Sequence, residues 1–314
     1  MRIAPGLAGV VAAAGAYSLI EPRRMRLTRH TLELDHVVPP LTILHISDTH
    51  LRAGARRVKT FVEGLPGLLG EVPDLVLATG DIIEDDSGID LAVAAFSRLE
   101  ARLGCFYVLG SHDYFQSKWG SPTKYLTGAR SQTPARPADS PRLEEGLKSH
   151  GWRPLTNTTT VVTAGEDQIR LTGVDDPYIK RHRTGHIKRS ADDAVAIGLM
   201  HAPDVVSEYV LAGYDLVLAG HTHAGQVRLP VLGALVTNCT LPTRLAGGAH
   251  KVGGAWLHVS VGLGTSKFTP IRFGARPEAT LLTLRGNLLT TLATSVDASQ
   301  EPQTAGLGMV QWSR

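Results

Sequence analysis

Cysteine is almost missing from this chain. There are two in 314 residues, Cys105 and Cys239, far apart and in no CxxC or zinc-knuckle spacing. That excludes a disulfide framework and a cysteine-built metal site. A dominant charge sign is missing as well: 32 basic residues face 29 acidic ones, a net of +3. So balanced a surface gives no reason to expect nucleic acid as a partner. No internal repeat is visible. What remains is globular: 43% hydrophobic and 19% charged residues, enough to bury a sizeable core, over a length that fits one large domain or two ordinary ones.

The N-terminus stands apart. Ile3 to Ile20 carries no charge, with Arg2 before it and EPRRMR (Glu21–Arg26) after it. As a helix it would span roughly 27 Å, close to a hydrocarbon core of about 30 Å. Residues 1–26 therefore read as a membrane anchor, which makes the protein membrane-associated. A cleaved signal peptide competes, because AGA at Ala14 to Ala16 resembles a cleavage site. A buried or interfacial helix is the third reading. Arg23, Arg24 and Arg26 favour a cytoplasmic C-terminal side, and Arg2 competes with them.

After a polar link, short apolar runs recur as strands covered on both faces should. They are LTILHIS (Leu41–Ser47), DLVLATG (Asp74–Gly80), CFYVLG (Cys105–Gly110), IRLTGV (Ile169–Val174), AIGLMH (Ala196–His201), DLVLAGH (Asp215–His221), AWLHVSVG (Ala255–Gly262) and ATLLTL (Ala279–Leu284). Helical patterns lie between several of them, at Asp90–Leu103, Pro141–His150 and Ala202–Gly213. The alternation predicts an α/β layered domain over residues 41–290. Tyr114–Ser140, polar and rich in Ser, Thr, Pro and Gly, is either a lid or a disordered insertion. Residues 291–314 read as a disordered tail.

The chemistry gathers just past the strands. SDTH brings Asp48 and His50, GDIIED brings Asp81, and GSHDY brings Ser111, His112 and Asp113. MHAP brings His201, and GHTH brings His221 and His223. Strand C-termini are where α/β sheets place their sites. A lone His112 or His201 is more often a satisfied polar residue than a ligand. Five such elements in order, each after a strand, argue otherwise. Asp and His together suit Mn, Fe or Zn, and so many ligands exceed one tetrahedral site. They suit two divalent metal ions about 3.5–4 Å apart sharing a carboxylate.

The series D-x-H, GD, G-x-H-D, H, GHxH resembles the calcineurin-like metallophosphoesterases, and within them the YaeI/YkuE-like membrane-associated bacterial phosphodiesterases. GVDDP (Gly173–Pro177), GHTHAGQ (Gly220–Gln226) and GLGTSKFTPIRFGARPE (Gly262–Glu278) add to the likeness, which covers roughly residues 41–285. The resemblance implies a four-layer α/β/β/α sandwich of two mixed β-sheets flanked by helices. It implies that Asp48, His50 and His223 bind one metal, that His201 and His221 bind the second, and that Asp81 bridges them. It implies a water between the metals as nucleophile, His112 beside the leaving-group oxygen, and Asp113 setting the His112 tautomer.

Two departures stand out. Ser111 replaces the metal-binding Asn of the family, a poorer ligand that weakens the second site. The usual GDxxD carries Glu84 and then Asp85, either of which can take the supporting role. The basic loop YIKRHRTGHIKR (Tyr178–Arg189) is either a solvated loop or a patch for lipid headgroups or a phosphorylated substrate, and His182 and His186 in it are not counted as ligands. Arg272 is either a phosphate clamp or a structural pairing. The expected activity is hydrolysis of phosphoesters, phosphodiesters first among them, small, nucleotide-like or lipid-linked, at the membrane. The alternatives are a phosphoprotein or phosphomonoester phosphatase and, with Ser111 its only support, a non-catalytic scaffold.

Overall fold

The structure, a computed structural model, describes residues 5–36, 38, 40–117 and 136–287. Helix α1 (Pro5–Ile20) leads into strand β1 (Arg26–Leu34) and then β2 (Leu41–Ile46). Helices α2 (Arg56–Glu63) and α3 (Leu65–Leu69), β3 (Leu75–Thr79), α4 (Ile89–Phe96), β4 (Gly104–Val108) and the single turn α5 (Ser111–Tyr114) follow. Next come α6 (Ser140–Ser149), β5 (Trp152–Pro154), β6 (Thr158–Ala164), β7 (Asp167–Gly173), β8 (Asp193–Leu199), α7 (Val206–Leu211) and β9 (Leu216–Ala219). A small hairpin, β10 (Arg228–Leu229) with β11 (Gly233–Ala234), precedes β12 (Gly248–Val252), β13 (Ala255–Val259) and β14 (Glu278–Gly286).

Two six-stranded mixed sheets result, in the orders β1-β14-β2-β3-β4-β5 and β12-β13-β9-β8-β7-β6. Alternation along each strand builds three apolar layers. Ile43, Leu75, Leu77 and Phe106 meet Leu171, Ile197, Leu216 and Leu218 between the sheets. Leu44, Ile46, Val76 and Tyr107 face outward onto Val62, Ala92, Phe96, Leu143 and Leu147 of the helices. On the far side Val217, Leu257 and Val259 pack with Val206 and Tyr209. This is the four-layer α/β/β/α sandwich.

All eight expected strands form. The expected helix at 90–103 stops at Phe96, where Ser97 caps it and the Trp152 indole donates to the Phe96 carbonyl. The expected helix at 202–213 opens instead as a 3-10 turn at Pro203–Val205. The polar link is corrected. Residues 26–34 form β1, in parallel register with β14, so the folded unit begins upstream of Leu41. Its exposed Arg, His and Glu side chains suit an edge strand and hid it from a reading based on apolar runs.

The N-terminal segment is helical over 16 residues, and among the described residues no helix is long and apolar enough to cross a membrane. Its end is docked: the Arg272 amide donates to the Ser18 carbonyl, the Gly274 amide to the Glu21 carboxylate, and the Tyr17 and Phe273 rings meet edge to face. Most of the polar insertion, residues 118–135, and the tail lie outside the described residues. The base of the insertion is closed by a bridge between Phe115 and Pro137.

Candidate metal centre

Strands β2, β3 and β4 run parallel, as do β8 and β9, and their C-terminal loops converge at one end of the sandwich. The backbone there is strained. Asp48 (φ 51°), His50 (43°), Asp81 (49°), His221 (70°) and His223 (47°) all sit at positive φ, a region costly for residues with a Cβ. Backbone bonds hold them there: Asp48 N to Gly80 O, His50 N to Asp81 O, Gly220 N to His201 O and Gly264 N to Asp48 O. Two glycines let the loops close. A Cβ at Gly220 would lie 2.0 Å from Ser47 Oγ and 2.4 Å from Asp48 Oδ2, and one at Gly110 would lie 2.3 Å from Asp81 Oδ1. The glycine before HTH is therefore required by close approach.

Three overlapping groups have the geometry to hold a cation: Asp48, His50 and His223; His50, Asp81 and His112; Asp48, Asp81 and His201. His223 Nε2 lies 3.4 Å from Asp48 Oδ1, and His201 Nε2 lies 3.2 Å from Asp81 Oδ2. His50 Nε2 is 3.8 Å from Asp81 Oδ2 and 3.9 Å from Asp48 Oδ1. His221 stands apart from these groups. Its ring packs on His201 at 5.2 Å, and its Nε2 lies 3.3 Å from the Asn238 carbonyl. Its amide donates to both oxygens of Asp48. Ser111 follows Gly110 directly and opens α5, half-buried at the same edge.

Supporting bonds decide which nitrogens are free. His50 Nδ1 is 2.7 Å from Glu84 Oε2, and His201 Nδ1 is 2.7 Å from the Thr79 carbonyl. Both partners only accept, so each ring keeps a proton on Nδ1, and it is Nε2 that each presents bare once the ring is neutral. His201 Nε2 is buried with no hydrogen bond among the described residues, which is the state a metal ligand needs. His223 differs. Arg272 Nη2, which can only donate, lies 2.9 Å from its Nδ1. The neutral ring then keeps its proton on Nε2, so ligation by that atom requires the ring to turn over or give up the arginine.

Glu84, fully buried, takes the supporting role, while Asp85 caps the turn after it by accepting from Ser87. Arg272, also fully buried, donates to the carbonyls of Val261, Ala275, Gly262 and Gly264, so it is a structural pairing that holds His223. Asp113 does not orient His112: its carboxylate accepts from the Gly110 and Ile83 amides and pins the loop. His112 Nδ1 is held instead by Ser117 Oγ at 2.9 Å, with Glu84 at 3.6 Å. The basic loop is partly consumed inside the fold, since Arg181 pairs with Asp175 and Arg189 with Asp215.

A family model described as calcineurin-like phosphoesterase matches residues 41–225, more than half of the chain. The chain belongs to the calcineurin-like phosphoesterase family. It is a phosphoester hydrolase of the kind that uses two divalent metals, and its Asp/His groups are of the type that binds them. The chain is 27% identical over 291 residues to the metallophosphoesterase YkuE of Bacillus subtilis, covering 88% of this chain and 93% of that protein. It is 28% identical over 275 residues to the phosphodiesterase YaeI of Escherichia coli, covering 84% and 90%. A Bos taurus protein named transmembrane protein with metallophosphoesterase domain is 29% identical over 274 residues, covering 80% of this chain and 55% of that one.

The electrostatics of this calcineurin-like site fit cations. Burial would lower the His201 and His50 imidazoles, yet the surrounding carboxylates outweigh it and raise both. Burial would raise Asp81, yet His201 and His112 hold it well below the usual carboxylate range. Burial and the charge of Asp81 push Asp113 up to about 7. The cluster thus draws in positive charge, and divalent cations on these nitrogens displace protons.

Proposed function

We propose that this chain hydrolyses phosphodiesters, small, nucleotide-like or lipid-linked, at a two-cation centre beside a membrane surface. In this reading Asp48, His50 and His223 hold one cation, His201 and His221 with Ser111 hold the other, and Asp81 lies between them. The observation that carries it is the overlap of the groups: Asp81 belongs to both the His50/His112 set and the Asp48/His201 set. Two bound cations supply Lewis acidity, acidifying the attacking water and drawing charge from the phosphoryl oxygens. The chain does the rest. Asp48 and Asp81 fix the charge at the floor of the cleft. Glu84 and the Thr79 carbonyl hold His50 and His201 with Nε2 inward. His112, a quarter exposed, has its Nε2 4.0 Å from Asp81 Oδ2, from where it donates a proton to the leaving-group oxygen. The name of the Escherichia coli relative favours diesters.

The membrane part rests on one surface. The β10–β11 hairpin exposes Val231 (106%) and Leu232 (71%) at its tip, with Val231 held at a φ of 70°. A β-branched residue rarely keeps that conformation in water without a reason. The Arg228 amide bonds the Phe273 carbonyl, and Phe273 packs on Tyr17. The base of the hairpin and the end of the uncharged α1 thus meet at Phe273, and the exposed Arg24 reaches the hydroxyl of the same Tyr17. A short apolar helix and an apolar tip with flanking arginines suit the interface of an anionic bilayer.

The test is turnover of an aryl phosphodiester and of the corresponding monoester by the full chain, metal-stripped and then reloaded with Mn²⁺. Metal-dependent diester cleavage is expected. Preference for the monoester moves the assignment to a phosphatase, and failure to bind metal at all removes the catalytic reading. Separately, Val231→Asp with Leu232→Asp is expected to weaken co-sedimentation with anionic phospholipid vesicles at least about tenfold, since each side chain is worth about 1.5–3 kcal/mol when buried. Aryl diester turnover stays as it was. Unchanged vesicle binding would remove the hairpin from the interface.

A further inference from the structure

Behind the cluster, a second set of buried polar groups runs from Asp48 into the space between the sheets. Ser47 Oγ donates to Asp48 Oδ2 at 2.5 Å, and Thr79 Oγ1 donates to Ser47 Oγ at 2.8 Å. Thr79 Oγ1 lies 2.9 Å from His45 Nε2, and His45 Nδ1 lies 2.8 Å from His258 Nδ1. All five side chains are buried. They come from β2 and the loop directly after it, from β3 and from β13, so the set spans both sheets.

With Thr79 as donor to Ser47, the other directions in it follow from counting protons. A carboxylate only accepts, so Ser47 spends its single proton on Asp48. Thr79 spends its own on Ser47 and can then only accept from His45. His45 therefore carries its proton on Nε2. Burial pushes His45 down to about 3 and holds His258 well below the usual histidine range, so each ring is neutral with one proton. With His45 Nδ1 bare, the short contact between the rings needs the His258 proton on Nδ1. The opposite His45 tautomer would force Thr79 to donate to it. Ser47 would lose its donor and could turn to the Thr79 carbonyl, 3.4 Å away, leaving Asp48 Oδ2.

We propose that His45 and His258 are positioning residues for the metal centre. His258 locks the His45 tautomer, and through Thr79 and Ser47 that lock holds the Asp48 carboxylate turned toward its cation. The inference rests on the reading of Asp48 as a ligand. It gives Thr79 two duties, since its backbone carbonyl also holds the metal-facing His201.

The experiment is a Mn²⁺ titration of the full chain, metal-stripped, as wild type, Ser47→Ala, Thr79→Val and His258→Leu, with thermal melting alongside. Partners behind metal ligands typically cost about 10–100-fold in affinity when removed. Each variant is expected to bind Mn²⁺ about tenfold or more weakly, and the Ser47→Ala/Thr79→Val double variant no more weakly than Ser47→Ala alone. Folded variants whose affinity stays within about twofold of wild type, whatever their melting points, would overturn the proposal, since a merely structural role predicts that pattern. Nitrogen-15 NMR of histidine-labelled wild type needs no variant. It should find His45 protonated on Nε2 and His258 on Nδ1, and a His45 proton on Nδ1 sinks the chain of bonds. If wild type binds no Mn²⁺, the ligand reading of Asp48 fails, and the nitrogen-15 pattern still decides the tautomer lock.

Discussion

Asp81→Ala is expected to lower Mn²⁺-dependent kcat/KM for an aryl phosphodiester about a thousandfold or more, the several kcal/mol that cation catalysis supplies. Three features combine at this position. Its carboxylate, like the Asp48 carboxylate and the His50 ring, belongs to two of the three candidate groups. It lies 3.2 Å from His201 and 3.8 Å from His50, so its loss disturbs ligands on both sides. Its Oδ1 also accepts the His112 amide at 2.8 Å, so the proton donor loosens with it. Asp81→Asn keeps that acceptor and most of the shape while removing the charge. Asparagine is therefore expected to preserve the His112 loop and still lose metal. Elemental analysis should find fewer than two Mn²⁺ per chain in both variants. Turnover within about tenfold of wild type, with two Mn²⁺ retained, would refute the shared-carboxylate reading.

How much was legible in the residues follows the layers of the fold. The eight apolar runs are the eight interior strands, β2, β3, β4, β14, β7, β8, β9 and β13; of the six strands not expected, β1, β5, β6 and β12 are the edges of the two six-stranded sheets, and β10 and β11 form the small hairpin. Interior strands are apolar on both faces and announce themselves. Edge strands such as RLTRHTLEL and TTTVVTA carry charge or threonine and read as links. The site behaves likewise. Asp48, His50, Asp81, His112, His201, His221 and His223 sit in loops directly after strands, so position announced them, and all reach one end of the sandwich. Of their supports, Glu84 was legible from its place in the GDxxD spacing, whereas a carbonyl such as Thr79 O has no residue signature and the partner of Arg272, His223, lies 49 positions away. One further signal was available. His45 in LTILHI and His258 in AWLHV each interrupt an apolar buried strand, and a buried imidazole must find a partner.

Acid should destabilise the metal-stripped protein as pH falls below 6.5, ahead of most carboxylate titration. Burial holds His45 at about 3 and His221 at about 4, and pushes His223 and His258 well below the ordinary value of 6.5. These four rings stay neutral in the fold and take up protons when the chain unfolds. Below pH 6.5 the unfolded state therefore binds more protons, and stability falls as pH falls, by up to about 1.4 kcal/mol per pH unit for each ring. His50 and His201 shift the other way. Their contribution is complete below pH 6.5 and is lost only as pH rises, so they add no slope in this window. Glu84 and Asp81, held low, destabilise the fold only as pH drops below the ordinary carboxylate range. Four rings together cost on the order of 5 kcal/mol between pH 6 and pH 5, while Asp113 and Asp176, pushed up to about 7, take up protons in the fold before the unfolded chain does and return about 2–3 kcal/mol over the same interval, which leaves a net loss of about 2–3 kcal/mol. Urea denaturation in EDTA at pH 7, 6 and 5 measures it, and His258→Leu should flatten the slope by about a half. A fold that keeps its neutral-pH urea midpoint at pH 4.5 would mean that these rings are hydrated or already charged, and the neutral His45–His258 pair would go with it.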